Sequence, residues 1–330
     1  MAFDLNSPGK MAVEGKMKRI LNILLLSICC FIIMACAAQQ TGDTRLQDIA
    51  RFRTGMAYGL SIKDGYAYIT TNSDLIIIDI SDPKKPRRVG ALKLGAPCFA
   101  VKVVGQKAFL AATDKGLVIV DVSDPKNPVI IGEFHDGGVV RRVGIVDNYC
   151  ITSDFENGLN ILDISDPAKP VKIGNLKFDR IKQFVATNEL VYIVDIGKGL
   201  KIADISDKTN PVELSTVEET QEAACVAVDG KRLFLGFFDG SIKIFDIADP
   251  KSPELLTEMN CPGEVLGLVA ADNYLFINYK GVIVKDITDL NAIVDVGHYR
   301  RTKGAHGIVY QDRYVYYVKN GLTIFKIVKF

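Results

Sequence analysis

Six aspartates recur along the 330-residue chain at almost even spacing: Asp79, Asp121, Asp163, Asp204, Asp246 and Asp286, with Lys326 in the seventh register. Carboxylates gathered in a ring would suit a hard cation. Here each stands beside a turn of its own repeat, and equal spacing spreads the copies apart. The chemistry expected of them is therefore structural, each accepting backbone N–H groups of its own turn or of the neighbouring repeat. His135, His298 and His306 show no metal-ligand spacing. Only His306 falls near the centre of the arrangement developed below. Cys98, Cys150 and Cys225 lie in or beside apolar runs, where thiols act as small apolar side chains. With Cys261 they dictate no disulfide pairing. The chain has no nucleophile elbow, no phosphate-cradling glycine loop and no paired catalytic carboxylates, so no catalytic residue, metal or cofactor is assigned. A cationic group remains: Arg141, Arg142 and Lys182, with Arg180 close by. What it can do depends on the elements that carry it.

Those elements follow from the period near 40 residues that the aspartates mark, the sign of a repeat fold. One unit reads Val101-Lys-Val-Val, Lys107-Ala-Phe-Leu-Ala111, Leu117-Val-Ile-Val-Asp-Val122 and Pro128-Val-Ile-Ile-Gly-Glu-Phe134. These are short β-branched and aromatic runs. Turn residues break them at Gly105-Gln106, at Thr113-Asp-Lys-Gly116 and at Ser123-Asp-Pro-Lys-Asn127. No window carries a sustained helical stripe. Four strands in such a period predict a propeller blade. Runs apolar on both faces, such as Leu75-Ile-Ile-Ile78, fit a sheet sandwiched between two others. The seventh unit stops after Leu322-Thr-Ile-Phe-Lys-Ile327, one strand short, and Leu46–Phe52 is an orphan strand with the outer-strand pattern. The predicted fold is all-β, a seven-bladed β-propeller of four-stranded antiparallel blades over about 46–330. Its ring is closed by the N-terminal strand in the last blade.

Function in a propeller concentrates where the units differ. The innermost strands are aligned on Asp64, Gly105, Asp147, Asn188, Asp229, Asp272 and Asp312. This puts Tyr58, Phe99, Arg141, Lys182, Ala223, Leu266 and His306 at the mouth of the central channel. Gly59, Ala100, Arg142, Gln183, Ala224, Gly267 and Gly307 come next, and Glu222 precedes the mouth register in the fifth unit. Hairpins on the same face carry Asp114, Asp154, Asp195 and Asp239. Tyr58, Phe99, Arg141, Arg142, Lys182, Glu222 and His306 are thus expected to frame a polar, partly cationic pocket for a small anionic ligand or an acidic protein segment. The alternative pairs these cations with the rim aspartates and leaves them solvated.

The string Leu117-Val-Ile-Val-Asp121 is literally LVIVD, and the repeat region resembles the bacterial LVIVD-repeat β-propeller lipoproteins, with six units matching well and the seventh departing at Lys326. The resemblance implies a secreted or surface-exposed propeller and carries no settled activity onto particular residues.

The N-terminus reads as a targeting segment. Met17-Lys-Arg19 is a basic start, Met17 being the better initiator. Ile20–Met34 is apolar but short for a bilayer-spanning helix. Ile33-Met-Ala-Cys36 resembles a bacterial lipobox, which implies a signal peptide over 1–35 and lipidation at Cys36. Residues 36–45 form a polar tether. The expected location is the bacterial cell envelope, outer membrane or cell surface rather than inner membrane, held to the membrane by lipid on Cys36.

The formal net charge is +1, so nothing draws a nucleic-acid backbone, and the absence of tryptophan removes one common stacking surface. The function expected is a ligand- or protein-binding or scaffolding module. The alternative is a propeller enzyme, a hydrolase or lyase, with its site at the channel mouth.

Overall fold

Leu117, Val118, Ile119 and Val120 are all buried, although successive side chains of a strand leave on opposite faces. A strand buried on both faces needs a sheet on each side, and that requirement builds the ring. The computed structural model describes residues 44–154, 157–300 and 306–329. Seven four-stranded sheets form, six of them from four strands consecutive in the chain, each paired antiparallel to the next. In blade two these are Ala100–Val104, Lys107–Ala111, Leu117–Asp121 and Val129–Phe134. The last blade joins Gly307–Gln311, Tyr314–Val318 and Leu322–Lys329 to the N-terminal strand Thr44–Phe52. The predicted closure therefore stands. The signal-like run, Cys36 and the tether up to residue 43 lie outside the described residues. Among the described residues, no helix is long and apolar enough to cross a membrane.

The core is divided among the spaces between blades. Seven apolar clusters each draw on two neighbouring blades. At the seam, Ile49 and Phe52 of the N-terminal strand pack with Ile76 and Ile78 of blade one and Ile324 of blade seven. Leu46 reaches the cluster shared by blades six and seven.

The repeated aspartates bind their own turns. Asp79, Asp121, Asp163, Asp204, Asp246 and Asp286 each accept the backbone N–H two residues on, at 2.7–2.9 Å. Asp82, Asp124, Asp166, Asp207, Asp249 and Asp289 do the same one turn later, at 2.9–3.1 Å. Hydrogen bonds from Ser81 and then from Arg87 hold the Asp79 carboxyl at about 2, below the usual carboxylate range.

Candidate functional site

The innermost strands of all seven blades neighbour one another in a closed circle. Six of them line a central cavity of about 360 Å³, and blade five does not contribute. Local extra residues shape its mouth. The pairing of blade three steps from Val140–Asp154 to Arg142–Ser153, which makes Arg141 a bulge. Lys182 is bulged in the same way in blade four. A bulge releases its side chain from the alternation of the strand, and both cations are exposed at the surface.

Tyr58, Phe99 and His306 come together from blades one, two and seven. The Tyr58 ring lies 5.0 Å from Phe99, edge to face, and 5.2 Å from His306. The Tyr58 hydroxyl donates to Asn72 Oδ1 at 2.7 Å. Arg141 rests its guanidinium 5.5 Å from the Phe99 ring centre. Lys182 Nζ stands 5.4 Å from the ring of Phe238. Cation–π contacts of this exposed kind contribute about 0.5–1 kcal/mol each. Burial first, and Lys319 second, lower the His306 pKa below that of an ordinary histidine.

Arg142 lines the cavity itself, as do Lys102, Gln183 and Asn278. Among the described residues no carboxylate lines it. Arg142 Nη1 donates to the Arg141 carbonyl oxygen at 3.2 Å. Its guanidinium is pushed down from the ordinary arginine range by burial and then by Arg141. Burial pushes the Lys102 ammonium down as well. Gln183 Oε1 accepts from Val226 N at 3.4 Å, so its NH₂ is the end left for the channel.

Glu222 is placed differently from expectation. The hairpin of blade five turns at Gly230-Lys231, with Asp229 still paired to Arg232. The equivalent turn of blade three begins at Asp147, after the pair Val146–Tyr149. In Asp-Gly the left-handed first turn position falls to glycine, at φ 60° for Gly230. The register of blade five therefore shifts by one. Ala224 matches Arg141, Cys225 matches Arg142, and Glu222 sits one residue further out, exposed and apart from the cavity lining. Lys102, Asn278 and Phe238 were not singled out from sequence. Lys102 carried a usable signal, the lone charge among Ser61, Gly144, Val185, Ala227, Val269 and Val309 in the same register.

The rim aspartates are bound within their own blades. Asp239 Oδ1 accepts from Ser241 N and Oγ, both at 2.8 Å. Asp195 is buried and accepts from Arg180 N at 3.0 Å. Asp154 is buried and accepts from Asn157 N at 3.0 Å. Cys98, Cys150, Cys225 and Cys261 are buried free thiols, and burial raises each above an ordinary thiol, Cys261 to about 11. Among the described residues no group of three or more His, Cys, Asp or Glu could hold a metal ion.

Comparison with known proteins places this ring. The LVIVD repeat profile matches residues 54–92, 99–136, 137–177, 186–219 and 222–260. The chain belongs to the LVIVD-repeat family. Five of its blades carry the matched LVIVD repeats, while blades six and seven follow the same strand plan outside them. Among proteins with curated descriptions, none matches the sequence. The computationally designed Ika8 protein superposes with a TM-score of 0.64 at 13% identity, covering 86% of this chain and 100% of its own. Saccharomyces cerevisiae Sqt1 superposes with a TM-score of 0.66 at 8% identity, covering 86% of this chain and 99% of its own. At such identities the likeness is one of fold alone.

Proposed function

We propose that this LVIVD-repeat propeller is a binding module of the bacterial cell envelope, anchored through lipid on Cys36, and that its ligand enters at the channel mouth and is anionic. One observation carries the reading: cations from neighbouring blades surround a cavity whose lining, among the described residues, has no carboxylate. A positive potential in a concave site attracts and orients negative groups. The Tyr58, Phe99 and His306 rings supply an apolar wall on the opposite side of the mouth from Lys182 and Phe238. Binding is favoured over catalysis because the lining offers cations and amides rather than a nucleophile beside a base.

The test is a panel of carboxylate-, sulfate- and phosphate-bearing metabolites and acidic peptides, scored by thermal shift on the full chain in detergent. Hits are expected to weaken in the double variant Arg141→Ala, Lys182→Ala. If that variant keeps every interaction intact, the mouth is not the ligand face. The anchor is tested separately, by whether Cys36→Ala moves the protein out of the membrane fraction.

A further inference from the structure

Lys102 and Arg142 line the channel from adjacent blades, and among the described residues neither meets an opposite charge there. Among the described residues Lys102 makes no hydrogen bond or ion pair, and burial alone acts on its ammonium. Arg142 gives one donor to the Arg141 carbonyl and is otherwise set against another cation. By accessible surface Lys102 is exposed into the channel and Arg142 is half-buried, so each charge can meet a solute there while facing no opposite charge among the described lining residues.

The ring does not need these side chains. In the register of Lys102 the other blades carry Ser61, Gly144, Val185, Ala227, Val269 and Val309. In that of Arg142 they carry Gly59, Ala100, Gln183, Cys225, Gly267 and Gly307. Small or neutral residues satisfy the fold six times in each case. Two long cations in neighbouring blades answer a demand other than packing.

Their spacing indicates which demand. The two residues stand two register positions apart, about 7 Å along the strand direction, a gap that two long side chains can close upon one small group. An ammonium offers three point donors and a guanidinium a planar fork of five. Together they match an oxyanion, whose oxygens a fork takes in pairs and an ammonium caps. The cavity of about 360 Å³ limits the occupant to a small molecule.

We propose that Lys102 and Arg142 form an oxyanion site inside the channel, for the carboxylate, sulfate or phosphate group of a small ligand. The site rests on the binding-module reading and deepens it, setting the anion below the rim.

The experiment titrates the full chain in detergent with inorganic phosphate and with phenyl phosphate, by calorimetry and by unfolding temperature. Lys102→Ser and Arg142→Ala are the variants, since blades one and two already carry those residues in these registers. Each is expected to weaken phosphate binding at least tenfold and to abolish the rise in unfolding temperature that phosphate gives the unaltered protein. Equal affinity for the two probes assigns the site to a free oxyanion, and tighter phenyl phosphate assigns it to the head group of a larger ligand; either upholds it. No binding of either probe to the unaltered protein, or unchanged affinity in both variants, overturns it. The two readings fail separately: ligand hits retained in Arg141→Ala, Lys182→Ala count against the mouth, and phosphate affinity retained in Lys102→Ser and Arg142→Ala counts against the oxyanion site.

Discussion

A Cβ added to Gly132 would lie 1.9 Å from the carbonyl oxygen of Pro167. Gly132 is on the outer strand of blade two and Pro167 in the Asp-Pro turn of blade three, so this glycine sets how closely one blade meets the next. Gly90 stands to the Pro125 oxygen at 2.0 Å in the same way. In blade four the position is Ser215, whose hydroxyl donates to the Pro250 oxygen at 2.8 Å. Gly132→Ala is expected to destabilise by about 1–3 kcal/mol through overpacking. A denaturant midpoint unchanged from the parent would show that the turn yields without penalty.

Leu117 and Ile119 are fully buried between blades. Leu117→Ala and Ile119→Ala should each remove about 2–5 kcal/mol of stability, the range for large-to-small changes in a core. Equilibrium urea unfolding checks both, and near-neutral values would contradict a sheet covered on each side.

Asp79 gives the ring an acid limit. Its folded-state pKa of about 2 lies below the ordinary carboxylate value of about 3.9. A depressed carboxyl contributes stability that is fully present above the unfolded pKa and disappears as pH falls through the folded one. The stability difference between the parent and Asp79→Asn should therefore be constant at neutral pH and shrink between about pH 4 and about pH 2. A difference independent of pH across that window would mean that the carboxylate is not the group responsible.

The seam is the place to open the circle. Ile49 and Phe52 fill the cluster between blades seven and one, and the N-terminal strand covers the edge of Leu322–Lys329. Deleting residues 44–52 should uncover that edge, lower the unfolding temperature and promote edge-to-edge association. Size-exclusion chromatography with light scattering reads the association. A monomer that unfolds like the parent would show the latch to be dispensable.

Blade number, strand order and the latch were legible because each is written in one dimension. The period counts the sheets, the β-branched runs mark strands, and the spare strand ahead of the first unit has the outer-strand pattern that the seventh unit lacks. The role of the repeated aspartates was equally legible, since Asp79 and its copies each accept the turn N–H two residues on, with Asp79 adding Arg87 of the next strand. The mouth rings Tyr58, Phe99 and His306 followed from alignment of the inner strands. Two features did not. Asp229 looks like the turn residue of blade five, but glycine takes the left-handed position there, and the shift sets Glu222 apart from the cavity. Lys102 lies in an inner strand that alternates, Val101 and Val103 buried and Lys102 and Val104 exposed, and the alternation does not say that the exposed face at Lys102 meets the channel. Local sequence determines strands and turns because their interactions span a few residues. Whether a given inner side chain faces a neighbouring blade or the axis depends on the tilt and radius of the closed ring, a property of all seven blades together.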